Sequence, residues 1–342
     1  MKSEHELAVL KKITQDILDE EASVATWIPA IEQLGEIIER HTSFRIADQD
    51  IAKGETRLSS GLAISPIQAA MCMRETYRTA MFIKGLDIAI REKISEAVIS
   101  PLKVLYAGCG PYALLAFPLM SIFTPEQVRF TLVEIHKDAL DSAKMLLESI
   151  GLMSHVAKFV CGDATTYKIP ANEKPDIIIS ETMNACLGKE PLVSIARNIV
   201  PQVPDATMIP QSVSIDAYLL NESKEHVLVS SDHVGGIPEP DRDRILLGKV
   251  FELNKQSINE WTDITGDQLP GLSIQIPSHY EYRYEPRLLT TINVFGSVRL
   301  KDYDSSLTYP RKFPTKEKLQ GGEILRFYYE LGCNPRVRFE KE

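Results

Sequence analysis

The chain has 342 residues, with 38 Lys and Arg against 47 Asp and Glu for a formal net charge of -9, so it exceeds the usual single-domain size and lacks the cationic excess that binding a nucleic-acid backbone requires. Its five cysteines, Cys72, Cys109, Cys161, Cys186 and Cys333, show neither CxxC nor Cys/His spacing, which fits a reduced compartment and gives no reason to expect a structural metal. The polar start Met1-Lys2-Ser3-Glu4-His5 does not resemble a secretory leader and no stretch is long enough to span a bilayer, so no membrane partner and a cytoplasmic location are expected.

From Glu6 to Arg40 apolar residues recur at helical spacing around a break at Ser23-Val24-Ala25, predicting a pair of helices. Residues 42–62 mix Asp, Gly and Ser without a firm period and read as a connecting segment able to order over a ligand. Ser65-Pro66 has the form of an N-cap followed by a first-turn proline, and a helix is expected to run on through Met73, Tyr77, Met81 and Leu86. The centre alternates strand and helix. Strands are expected at Lys103–Tyr106, Arg129–Glu134, Val156–Val160 and Asp176–Ser180, with helices from Tyr112, over Lys137–Ile150 and over Pro191–Val200, the pattern of a parallel sheet covered on both faces. After Pro210 the pattern becomes strand-rich, with candidates at Ser212–Leu220, His226–Ser231, Leu272–Ile276, Leu288–Val298, Ile324–Leu331 and Arg336–Glu340, as in an antiparallel domain. Tyr280, Tyr282 and Tyr284 alternate and read as strand packing.

Three features of the central region belong together. Val104-Leu105-Tyr106-Ala107 runs into Gly108-Cys109-Gly110, a turn whose glycines admit close backbone approach by a ligand. Glu134 ends the next strand, where a carboxylate can accept both hydroxyl hydrogens of a ribose. Asp163 and Ala164 follow the third strand, an acid for an adenine amino group beside a residue small enough to admit the ring. No third glycine and no Gly-Lys-Ser/Thr loop is present, which points to adenosine without a phosphate cradle. In this order and spacing the three resemble a class I S-adenosylmethionine methyltransferase, with S-adenosylmethionine as cofactor and S-adenosylhomocysteine as product.

The segment Ser180-Glu181-Thr182-Met183-Asn184-Ala185-Cys186-Leu187-Gly188-Lys189-Glu190 sets two carboxylates nine positions apart around a loop. It is similar to the double-glutamate loop of the protein arginine methyltransferases. Arg74-Glu75-Thr76-Tyr77-Arg78-Thr79 resembles that family's helix before the core, and Ala206-Thr207-Met208-Ile209-Pro210 its entry into a β-barrel. The resemblance implies a Rossmann-like α/β core at 65–211, preceded by a helical region at 1–64 and followed by an antiparallel β-barrel-like substrate domain at 212–342. It also implies that Arg78 grips the cofactor carboxylate, with Gly108, Cys109, Gly110, Glu134, Asp163 and Ala164 as further cofactor residues, and that Glu181 and Glu190 bind a guanidinium. A guanidinium is protonated at neutral pH, so two facing carboxylates that fix its plane and localise its charge leave the remaining nitrogen better able to attack.

The chain departs from the family elsewhere. The upstream aromatic pair is replaced by Ser59-Ser60-Gly61-Leu62, the loop carries Thr182 and Asn184 in place of the usual pattern, and no Thr-His-Trp appears near Tyr309–Pro314. The expected activity is transfer to a guanidino nitrogen, with free L-arginine or a small derivative favoured over peptidyl arginine. Another small-molecule nitrogen or oxygen, and a non-catalytic cofactor-binding role, are the competing readings. The apolar N-terminal helices also offer a surface for a homodimer.

Overall fold

The computed structural model describes residues 2–42, 51–96, 101–225, 242–315 and 318–342. Helices α1 (Lys2–Leu18) and α2 (Val24–His41) form the expected pair. Their apolar stripes meet each other and the core: Leu10, Ile13 and Ile17 are buried with Trp27, Ile31, Leu34 and Ile38, and Thr14 Oγ1 donates to Pro118 O at 3.1 Å. Strands β1 (Thr56–Leu58) and β2 (Gly61–Ala63) then form a tight hairpin across Ser59-Ser60, within the segment expected to be a connection.

Helix α3 (Pro66–Met71) starts as the sequence predicts, with the Ser65 hydroxyl accepting from Gln68 N and proline in the first turn. It does not run on to Leu86. A 3-10 turn at Cys72–Arg74 and a non-helical Glu75 (φ -80, ψ 78) interrupt it before α4 (Thr76–Glu96). This break re-aims the chain so that α4 begins beside the ends of the core strands.

The core sheet comprises β3 (Leu102–Ala107), β4 (Val128–Glu134), β5 (Val156–Cys161), β6 (Ile177–Ser180) and β7 (Thr207–Ile209), all parallel in the order β5-β4-β3-β6-β7. Its crossovers include α5 (Lys137–Ile150), ended by Gly151 at φ 84, and α6 (Leu192–Ile199). The helix expected from Tyr112 is absent. Short 3-10 helices at Gly110–Tyr112 and Leu119–Ser121, joined by turns, replace it, because Pro111 and Pro118 withhold backbone donors and Ala113 is left-handed at φ 45.

The remainder is antiparallel, and the α/β core with flanking helices and a C-terminal antiparallel domain is the architecture anticipated. Strands β8 (Ser212–Asn221) and β9 (Arg244–Asn254) lead through α7 (Lys255–Glu260) to β10 (Gln268–Gln275), β11 (Tyr284–Phe295), β12 (Val298–Leu300), β13 (Arg311–Lys312), β14 (Ile324–Glu330) and β15 (Arg336–Lys341). One sheet runs β12-β11-β8-β9 with β13 also on β11, and the other runs β10-β14-β15. Phe251 of β9 joins them, stacked between Tyr329 (ring centroids 5.0 Å apart) and Trp261 (5.3 Å). The strand expected at His226–Ser231 lies outside the described residues. Tyr280 and Tyr282 precede β11 and do not pack within a strand, and Tyr282 is 96% exposed. Among the described residues no helix is long and apolar enough to cross a membrane.

Candidate functional site

At the carboxyl ends of β3, β4, β5 and β6 lies one cavity, and Arg78, Gly108, Cys109, Gly110, Glu134, Asp163, Ala164, Glu181 and Glu190 all line it. The order of the sheet produces this convergence, since β3 lies centrally with β4 and β6 on either side. After β3, Gly108 (φ 74) and Gly110 (φ 64) are left-handed. A Cβ on Gly108 would stand 2.3 Å from Thr182 Cγ2, so this turn can exist beside the loop after β6 only with glycine.

Glu134 is tied at both oxygens: Oε2 accepts from Gly110 N at 2.9 Å and Oε1 from His136 N at 3.0 Å. A carboxylate has further acceptor directions, which the cavity leaves available for a diol. Asp163 Oδ1 accepts from Thr165 N at 2.8 Å, while Asn198 Nδ2 donates to Ala164 O at 3.0 Å. These backbone ties fix both positions. Leu62, Ala63, Ile64 and Ile195 supply apolar lining suited to an adenosine.

The loop from Glu181 to Glu190 is held in an unusual shape. Cys186, Leu187 and Lys189 have φ of 56, 54 and 67, a region that costs a non-glycine residue on the order of 1–2 kcal/mol. The C-terminal strands compensate. Cys186 N donates to Thr290 Oγ1 at 2.9 Å, Tyr329 OH donates to Leu187 O at 2.7 Å, and Lys189 N donates to Pro335 O at 2.8 Å.

This shape buries Glu190 and leaves only 12% of the Glu181 side chain exposed. Arg78 Nη2 donates to Glu181 Oε2 and Nη1 to Glu75 Oε1 at 3.1 Å, leaving Glu181 Oε1 buried with no protein partner. Burial pushes Glu181 upward, partly offset by Arg78. Burial and then the negative charge of Glu181 push Glu190 up to about 8, against the smaller pull of Arg78 and Lys189. Burial, the largest single influence, would lower Arg78, but Glu181, Cys72 and Glu75 together outweigh it and the guanidinium stays charged. One fixed cation thus stands against two carboxyl groups, and a second cation entering the cavity would favour ionisation of Glu190, whose proton is otherwise held at neutral pH.

Several contributors escaped sequence reasoning. Glu75 also accepts from Ser306 N (2.9 Å) and Ser306 Oγ (2.8 Å), linking the C-terminal domain to Arg78; only its position three residues before Arg78 hinted at this. The β1–β2 hairpin covers the cavity, with Leu62 N donating to Lys189 O at 2.8 Å and Thr56 Oγ1 hydrogen-bonded to His136 Nε2 at 3.0 Å. Gly61 (φ 138) permits this approach, because a Cβ there would lie 2.8 Å from Lys189 O. Among the described residues none beyond Ile195 lines the cavity.

No protein-family model and no curated protein sequence matches the chain. Solved structures resemble it at low identity. The Trypanosoma brucei PRMT1 enzyme-prozyme heterotetrameric complex with AdoHcy is 14% identical, covers 79% of this chain and 92% of its own, and has a TM-score of 0.49. Arabidopsis thaliana protein arginine methyltransferase 10 is 12% identical over 75% of this chain and 94% of its own, with a TM-score of 0.45. A PRMT6-SAH structure is 9% identical over 76% and 96%, with a TM-score of 0.47.

Proposed function

We propose that this chain methylates a guanidino nitrogen with S-adenosylmethionine as donor, and that its acceptor is free L-arginine or a small derivative. The observation that carries the reading is the pair of glutamates on one loop, Glu190 buried and Glu181 nearly so, facing a cavity whose other wall has the features of an adenosine site. In it Glu134 would hold the ribose, Asp163 and Ala164 the adenine edge, and the Gly108-Cys109-Gly110 turn the close backbone approach. Arg78 would take the donor's carboxylate with a guanidinium N–H. The bound donor supplies an electrophilic methyl on a sulfonium.

The chain's residues do the rest. Glu181 Oε1, lacking a protein partner, accepts an acceptor N–H, and Glu190 accepts from another nitrogen and fixes the guanidinium plane. Glu181 Oε2 is already engaged by Arg78, so Glu190, once ionised beside the bound guanidinium, is the better placed proton acceptor. The hairpin covers one side of the cavity. The small-acceptor preference draws support from the lining, to which the described residues of the C-terminal domain contribute no side chain. Peptidyl arginine would be expected to need a groove walled by that domain.

The test is transfer of a labelled methyl group to free L-arginine and, in parallel, to an arginine-containing peptide, with mass spectrometry of each product. Guanidino-methylated arginine is the expected product. Product on the peptide alone would replace the small acceptor with a protein, and silence in both despite cofactor binding would overturn guanidino transfer.

A further inference from the structure

The C-terminal domain carries a second cleft, distinct from the cavity above, between the loop before β11 and the segment after β13. Its walls include His279, Tyr280, Tyr282, Arg287, Lys312 and Lys318. Charge here runs against the chain as a whole, which is net -9. Arg287 is already engaged by Glu222 and, at 3.5 Å, by Glu285. Lys312 and Lys318 are exposed and, among the described residues, their ammonium groups make no ion pair or hydrogen bond. Two uncommitted ammonium groups therefore face one cleft.

The backbone adds a second requirement. Strand β13, which carries Lys312, pairs only with β11 among the described strands, so its outer side is a sheet edge. An extended peptide can add a strand to such an edge, with alternate side chains directed to one face. Tyr280 donates to Leu319 O at 3.2 Å and is held in the wall, while Tyr282 projects into solvent at 96% exposure. These rings offer contact area to an extended chain. A nucleic-acid strand would find two free lysines beneath a strongly acidic protein, too little positive charge for backbone neutralisation.

We propose that this cleft is a docking site for an extended acidic peptide segment of a protein partner, read by Lys312 and Lys318 and by the edge of β13. Strand β13 also ties to the glutamate loop, since Arg311, next to Lys312, donates through Nη2 to Asn184 Oδ1 at 3.4 Å. The proposal does not depend on the identity of the methyl acceptor, because its test reads binding alone.

The experiment is fluorescence anisotropy of the full chain with a labelled peptide alternating Glu and Thr. Controls are the same peptide with Lys for Glu, and a version N-methylated at alternate backbone nitrogens. The expected result is saturable binding of the Glu peptide that weakens with salt, falls about tenfold in Lys312→Glu/Lys318→Glu, falls on N-methylation, and is absent for the Lys peptide. Both lysines are exposed, and an unchanged unfolding midpoint would establish that the variant is folded. Absence of saturable binding, indifference to the double charge reversal, undiminished binding of the N-methylated peptide, or displacement by a single-stranded oligonucleotide at equal concentration would each overturn the proposal.

Discussion

Replacing Glu190 with Gln should stabilise the unliganded protein at alkaline pH while removing methyl transfer. The folded-state value of Glu190 is about 8 against an ordinary 4.5, so the native state holds its proton longer than the unfolded chain does. Relative to a neutral residue, the wild type bears no penalty below the unfolded value. It loses stability progressively as pH rises between the two values, and the loss is complete above the folded one. At about 1.4 kcal/mol per unit the full penalty approaches 5 kcal/mol, and local rearrangement around a buried charge reduces what is observed to about 2–5 kcal/mol. Thermal unfolding of wild type and Glu190→Gln near pH 5 and near pH 9 reads the difference directly. The variant's midpoint should exceed the wild type's by several degrees at the higher pH and by little at the lower. Arginine should close the gap at high pH, because its guanidinium restores the missing counter-charge for the wild type alone. A gap independent of pH would refute the argument, since burial of an ionising carboxylate could not then be its source.

Gly108→Ala should cost about 1–3 kcal/mol, since the left-handed backbone and the 2.3 Å approach to Thr182 Cγ2 both penalise a Cβ, and calorimetry should show cofactor affinity lost with it. Ser306→Ala removes a donor to Glu75 and should weaken cofactor or acceptor binding by about 1 kcal/mol with Ser306→Thr largely restoring it; unchanged steady-state constants would show that Glu75 holds Arg78 unaided. Gly61→Val should lift the hairpin from Lys189 O and speed cofactor release by about tenfold or more in stopped-flow displacement, given the cost of overpacking against backbone. The homodimer anticipated from the apolar N-terminal helices has a narrower basis than the sequence implied, because most of both stripes is spent inside the chain, leaving Val24 and Ile28 exposed on α2. Light scattering of wild type and Ile28→Glu should show a concentration-dependent dimer lost in the variant if that face associates.

The parallel core was legible because its signals are local. Apolar runs such as Ile177-Ile178-Ile179, glycines at the turn and carboxylates at strand ends are each read within a few residues, and every residue assigned to the site from sequence lines the same cavity. What escaped depends on distant partners. Strand β9 was overlooked because register shifts at Ile215/Asp216 and Ala217/Tyr218, with Gly248 at φ 136, break the two-residue alternation that marks a strand. The β1–β2 hairpin is three residues a side, and its docking on Lys189 cannot be inferred from its own composition. The helix expected from Tyr112 failed for a local reason, since prolines at 111 and 118 outweigh a run of good helix formers. The Glu75–Ser306 contact spans 231 residues and has no sequence signature.

The strained loop between the two glutamates gives the C-terminal sheets authority over chemistry they never touch. Thr290, Tyr329 and the Pro335 carbonyl grip Cys186, Leu187 and Lys189 from behind, so the spacing of the carboxylates is dictated from a layer that adds nothing to the cavity wall. Under the proposed function, substitutions in those sheets would shift acceptor preference while leaving the cofactor residues in place.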